Sequence, residues 1–155
     1  MKFSDENLSK LEELKKKYPT TKALTLPALW MAQRQFGWIS TEAMAYVAEL
    51  LDVSVNHVYG VVTFYTMFNT KPVGKYHLQV CTNVSCQLLG GEEIRDHICK
   101  KLNVKPGGTT GDERFTVTEV ECMGSCGTAP MMAVNDDYVE NLTIEKVDRF
   151  LQEAQ

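Results

Sequence analysis

Four of the five cysteines fall into two close pairs, and their spacing restricts the possible folds more than any other feature of the chain. Cys81 and Cys86 have four residues between them, thirty-five residues follow, and Cys122 and Cys126 have three between them. Two thiol pairs joined by enough chain for a helix and a strand suit a site built from four thiolates. The intervening segment must then leave the first pair and return beside it. Two chemistries use such a donor set: a [2Fe–2S] core saturated by four thiolates, and one tetrahedral zinc ion. The spacing leaves both open. A thiol–disulfide enzyme is a third class, disfavoured because no Cys-x-x-Cys opens a helix whose N-terminus would lower a thiol pKa. Cys99 lies midway and belongs to neither pair, so it is expected to be a small buried filler.

Composition narrows the class further. With 155 residues and 44% hydrophobic content the chain can bury a core, in one domain or two small ones. The net charge is −4 and there is no basic run, so no nucleic acid partner is expected. No apolar stretch approaches the roughly 20 residues that span a bilayer, so no direct membrane insertion is expected. The opening Met1-Lys2-Phe3-Ser4-Asp5-Glu6-Asn7 lacks the apolar region of a signal peptide. An odd number of cysteines argues against a disulfide framework. A soluble protein of a reducing compartment is the expectation.

The first seventy residues read as helical. Leu8, Leu11 and Leu14 follow Ser4 as N-cap, and Pro19 closes that segment. A second helix is predicted from about Pro27 to Gly37, with Leu29, Trp30, Gln33 and Phe36 close to one face. A third follows Ser40, with Met44, Val47, Ala48 and Leu51 at helical spacing. Ser54 caps a fourth that is read as helix through Phe68, although β-branched and aromatic residues crowd its second half. Asn69 to Gly74 is a linker by composition. Beyond it the period changes. Tyr76–Cys81 alternates as a strand, Glu92–Leu102 is helical, and Phe115–Glu121 alternates again up to Cys122. Met131–Val134 and Tyr138–Glu140 read as a hairpin across Asn135-Asp136-Asp137, and Thr143 caps a last helix bearing Ile144, Val147, Phe150 and Leu151. The expected class is α+β: an N-terminal helical bundle over residues 1–70, then a thioredoxin-like α/β domain over residues 71–155.

A strand–helix–strand crossover makes parallel neighbours. Cys81 and Cys122 are then expected at the carboxyl ends of adjacent strands, each releasing into a loop with its second cysteine. In the loop from Cys122 to Pro130, Gly124 and Gly127 can take positive φ, letting N–H groups turn toward sulfur. Glu119, Glu121, Asp136 and Asp137 are read as acids near the site. They would disfavour adding an electron to an anionic cluster, so a potential near about −400 mV is expected.

These residues resemble a known family. The matching pieces are Ala28-Leu29-Trp30-Met31-Ala32-Gln33 with Phe36-Gly37-Trp38-Ile39-Ser40, then Val61 through Phe68, the two cysteine pairs, Gly107-Gly108-Thr109-Thr110, and Glu119 through Pro130. Together they resemble the small [2Fe–2S] subunit of the NADH-dehydrogenase module of respiratory complex I, a thioredoxin-like ferredoxin. The resemblance runs from about Leu24 nearly to the C-terminus. It implies Cys81, Cys86, Cys122 and Cys126 as ligands of one [2Fe–2S] cluster. It also implies a larger flavoprotein partner that carries FMN and NADH, and one-electron exchange with that FMN in NADH:quinone oxidoreductase. Attachment on the cytoplasmic side of a bacterial inner membrane would be peripheral, through the complex. Similar subunits serve NAD-linked hydrogenases and formate dehydrogenases. The sequence departs from the family at two places: Ser85 precedes Cys86 where many members have proline, and Gly60 stands where an acid is common.

The remaining residues read more plainly. His57, His77 and His97 share no ligand spacing and are expected to be structural or exposed. Phe64, Tyr65, Met67 and Phe68 suit either core or interface. Gly90-Gly91 and Gly107-Gly108 are read as turns and helix starts, because no Gly-x-Gly-x-x-Gly follows a strand. With no dinucleotide fingerprint and no acid–base constellation, no substrate site is expected on this chain. A non-redox subunit whose metal only staples the fold is the contrasting reading.

Overall fold

The structure, a computed structural model, describes residues 1–154 and divides the chain into two compact units, Met1–Pro72 and Val73–Gln155. The first unit is helical: α1 (Asp5–Lys15), a 3-10 turn (Thr21–Leu24), α2 (Thr25–Phe36), α3 (Thr41–Leu51) and α4 (Val55–Phe64). Ser4, Ser40 and Ser54 cap α1, α3 and α4, each hydroxyl accepting from the N–H three residues on. Each thereby satisfies a donor that the first helical turn leaves unpaired. Helix α2 starts two residues before Pro27, because the 3-10 turn runs directly into it. Pro27 is tolerated there, since an N–H in the first turn has no intrahelical acceptor. Gly37, at φ +84, ends α2 as expected.

Helix α4 stops at Phe64 rather than continuing to Phe68, and Tyr65 is extended. The cause is tertiary. The Gln33 side chain donates to Met67 O at 2.9 Å and accepts from Asn69 N–H at 2.7 Å. This clamp draws the segment back onto α2 and turns Phe68 into the core against Trp30, with ring centroids 5.7 Å apart. Leu11, Leu24, Leu29, Ile39, Met44, Val47, Leu51, Val58 and Val62 complete that core.

The second unit is a five-stranded sheet with helices. Its strands are β1 (Tyr76–Cys81), β2 (Gly108–Thr109), β3 (Phe115–Val120), β4 (Met132–Val134) and β5 (Asp137–Val139), in the order β2-β3-β1-β4-β5. β1 and β3 are parallel, in register from Tyr76↔Phe115 to Cys81↔Val120; every other pair is antiparallel. Its helices are α5 (Val84–Leu88), α6 (Gly91–Leu102) and α7 (Ile144–Glu153). Ile94 and Ile98 of α6 and Val147 and Leu151 of α7 bury against Leu78, Val80, Phe115 and Val117 of the sheet. The hairpin turn is Asn135-Asp136, with Asn135 at φ +55, and Asp137 belongs to β5. Helix α5 and strand β2 lie outside the elements that the sequence pattern predicts. Their five and two residues are too few to show a period.

Candidate metal centre

Parallel neighbours finish at the same sheet edge, and that edge carries the cysteines. Cys81 is the last residue of β1, opposite Val120 of β3, and Cys122 lies two residues beyond Val120. The ladder continues one step past Cys81, where Thr82 N–H donates to Val120 O at 3.1 Å. The chain then enters α5, capped by the Asn83 side chain, which accepts from Val84 N–H at 2.9 Å. Asn83 Nδ2 also donates to Glu121 at 2.5 Å, fastening the first cysteine loop to the end of β3. Cys86 rides on α5 and is buried with Cys81 and Met131, with Met123 and Ala129 of the second loop packed against them.

The second pair is more open. Cys122 and Cys126 are both exposed, with their sulfurs 3.3 Å apart. Gly124 adopts φ +85 and its N–H donates to Cys122 Sγ at 3.4 Å, as expected. Gly127 does not use that freedom. It lies inside the 3-10 turn Cys126–Thr128, whose repeating conformation holds φ negative. The two pairs are neighbours: Met123 and Ala129 of the second loop pack against Cys81 and Cys86, and Cys126 feels the charge of Cys81 as Cys86 feels that of Cys126.

Their electrostatics differ. The Gly124 N–H, followed by the Cys126 thiol, holds the Cys122 thiol below its ordinary pKa. Burial pushes Cys86 up, and its hydrogen bond with Cys81 adds to this. Cys122 is therefore readier than Cys86 to present a thiolate, the form that binds metal.

The donor set fits a dinuclear cluster. Two thiolates on one tetrahedral metal at roughly 2.3 Å stand roughly 3.8 Å apart, within a small adjustment of the 3.3 Å between Cys122 and Cys126. Two close thiol pairs, one on each cysteine loop, are the donor set that a two-iron core takes, two thiolates to each iron.

Two of the four acids expected near the site are there. Glu119 accepts from Thr82 Oγ1 at 2.8 Å and from Arg95 at 2.9 Å, and Glu121 holds Asn83. Asp136 and Asp137 are not. The hairpin turn lies at the opposite sheet end, where Asn135 N–H donates to His77 O at 2.9 Å. An acid not singled out in the sequence takes their place: Glu140 accepts hydrogen bonds from Ser125 and Thr128, both beside Cys126. No spacing rule connects residues so arranged.

Other candidates fall away from the centre. Cys99 is buried on α6 beside Ile98, with its thiol pushed up by burial. His57, His77 and His97 pair with Thr25, Thr118 and Asp148. The aromatic stripe divides, with Phe64 77% exposed and Phe68 5% exposed. Gly107 turns at φ +81, and Gly108 begins β2 rather than a helix.

The family model of the thioredoxin-like [2Fe-2S] ferredoxins matches residues 11–155. The NADH-quinone oxidoreductase E subunit of Rickettsia felis is 46% identical over 154 residues, covering 97% of this chain and 92% of that protein. One of the NADH-quinone oxidoreductase E subunits of Rhizobium meliloti, the one numbered 2, is 41% identical over 142 residues, covering 92% and 84%. In the solved structures, an NAD+-reducing [NiFe]-hydrogenase in the air-oxidized state superposes with a TM-score of 0.72 at 20% identity, over 83% of this chain and 22% of that one. This chain spans about a fifth of the hydrogenase chain, and the likeness is one of fold. With its paired cysteines on one edge of an α+β fold, this chain belongs to the thioredoxin-like [2Fe–2S] ferredoxin family.

Proposed function

We propose that this chain is the [2Fe–2S] electron-transfer subunit of an NADH-quinone oxidoreductase, with Cys81, Cys86, Cys122 and Cys126 as the cluster ligands. The observation that carries this reading is the arrival of two thiol pairs at the carboxyl ends of two parallel strands. Similarity over nearly the whole length to the E subunits of two such oxidoreductases supports the parent complex. A bound [2Fe–2S] cluster supplies one-electron chemistry.

The chain's own residues prepare for that role. Gly124 stabilises negative charge on the Cys122 sulfur through its N–H. Met131, Met123 and Ala129 keep water from Cys81 and Cys86, while Cys122 and Cys126 stay open on the side from which an electron partner approaches. FMN and NADH belong to a larger flavoprotein partner. Residues 1–70 are the partner-binding domain, with the exposed Phe64, Tyr65 and Met67 as contacts, and residues 71–155 hold the cluster. No helix among the described residues is long and apolar enough to cross a membrane. Attachment is peripheral, on the cytoplasmic face, through the complex. The equivalent diaphorase subunit of an NAD-linked hydrogenase is the second reading, favoured by the shared fold of the hydrogenase chain.

Anaerobic purification tests the proposal. About two irons and about two acid-labile sulfides per chain are expected, with an EPR signal after one-electron reduction. Cys122→Ala should lose the cluster and Cys99→Ser should keep it. A colourless protein with one zinc per chain, or equal iron in both variants, rejects the reading. Joint replacement of Phe64 and Tyr65 by alanine should weaken co-purification with the flavoprotein.

A further inference from the structure

We propose that Glu140, assisted by Tyr138, is a positioning residue for the second cysteine loop, and that its carboxylate lowers the reduction potential of the cluster. This rests on Cys122 and Cys126 being ligands. Within the loop that bears them, the backbone holds the two sulfurs only through the Gly124 N–H on Cys122 and the 3-10 turn that starts at Cys126. Its ties come from one short segment of chain after the hairpin turn. The Tyr138 hydroxyl donates to Met123 O at 2.8 Å, holding the residue that follows Cys122. The hydroxyls of Ser125 and Thr128 both donate to Glu140 Oε1, the latter at 2.6 Å. Asn141 N–H donates to Thr128 O at 2.7 Å, and Leu142 N–H to Pro130 O at 2.8 Å. Cys126 is thereby gripped from both sides.

The contact to Glu140 differs in kind from the backbone ties. Hydrogen bonds to a carboxylate are roughly twice as strong as neutral ones, and two of them here share one oxygen. The charge also lacks an ion-pair partner among the described residues. Glu119 faces Arg95 across an ion pair, whereas among the described residues no basic side chain forms an ion pair with the Glu140 carboxylate. Lys146 Nζ reaches only the Glu140 backbone carbonyl, at 3.3 Å. A negative charge fixed beside the ligand loop opposes the arrival of an electron there.

The test uses the full chain, purified anaerobically with iron and sulfide counted, and measures EPR spectrum, midpoint potential and the rate of cluster loss to a chelator. Glu140→Gln keeps the shape and removes the charge, so it should retain iron and shift the midpoint to a more positive value. Asp136→Asn removes an equal charge at the far sheet end and should leave the midpoint unmoved. Ser125→Ala and Tyr138→Phe keep the charge but cut a tie; each should alter the EPR signal and speed cluster loss several-fold. Unchanged potential in Glu140→Gln, or an equal shift in Asp136→Asn, overturns the electrostatic role. Unchanged spectrum and loss rate in Ser125→Ala and Tyr138→Phe overturn the positioning role. Wild-type chain without iron and sulfide, or Cys122→Ala that retains them, overturns the ligand assignment and this inference with it, a failure visible before any Glu140 variant is made.

Discussion

At Gly91, the first residue of α6, a Cβ would lie 2.8 Å from Cys81 O and 2.9 Å from Cys86 O. Both are backbone atoms and neither can swing aside, so a methyl there must displace α6 or the loop that carries Cys86. Overpacking of this kind costs about 1–3 kcal/mol. Gly91→Ala is therefore expected to lower the melting temperature and the iron bound per chain. Gly60, inside α4 with nothing within 4 Å of an added Cβ, is the contrast. Gly60→Ala should raise stability by about 0.5–1 kcal/mol, because alanine loses less backbone entropy in a helix. In the sequence Gly91 reads only as a helix start. Its function as a point of close approach depends on carbonyls five and ten residues away, whose arrival no local pattern encodes.

Strand β1 shows what a single element carries beyond its alternation. His77 projects from it, half-buried, with its ring hydrogen-bonded to Thr118 Oγ1 of β3 at 2.8 Å. Burial holds its pKa below the ordinary value. The folded chain therefore keeps the ring neutral where the unfolded chain, with a pKa of about 6.5, takes up a proton. The unfolded state binds more protons between the two values. The contribution to stability is full above about pH 6.5 and is lost as pH falls through that value toward the folded pKa. Urea unfolding at about pH 7.5 and about pH 5 should show this loss in the wild type and a smaller one in His77→Gln. The elements most legible in the sequence are those with a full period and a cap, such as α3 behind Ser40, α7 behind Thr143, and the alternating β1 and β3. The end of α4 is not legible, because Gln33, thirty-four residues from Met67, decides it.

Across the whole molecule, each unit has a core of its own. One runs from Phe3 to Phe68; the others draw on residues from Leu78 onward and include the buried cysteines. Residues 73–155 expressed alone are therefore expected to melt cooperatively and to bind iron and sulfide in the same ratio as the full chain. A fragment that fails to melt cooperatively would show that its core needs the helical unit. The sequence by itself determined the two close cysteine pairs and the change from helical to alternating period, because residue spacing and periodicity are local properties. Only the tertiary structure decided which acids meet the centre. β4 runs antiparallel to β1 and carries the chain away from the cysteine edge, so Asp136 and Asp137 fall at the far end. β5 then reverses direction, pairing Val139 with Met132, and returns Glu140 to the cysteine loop. Three residues along the chain thus separate opposite ends of a sheet, a distance set by strand direction and absent from any count of charges near the cysteines.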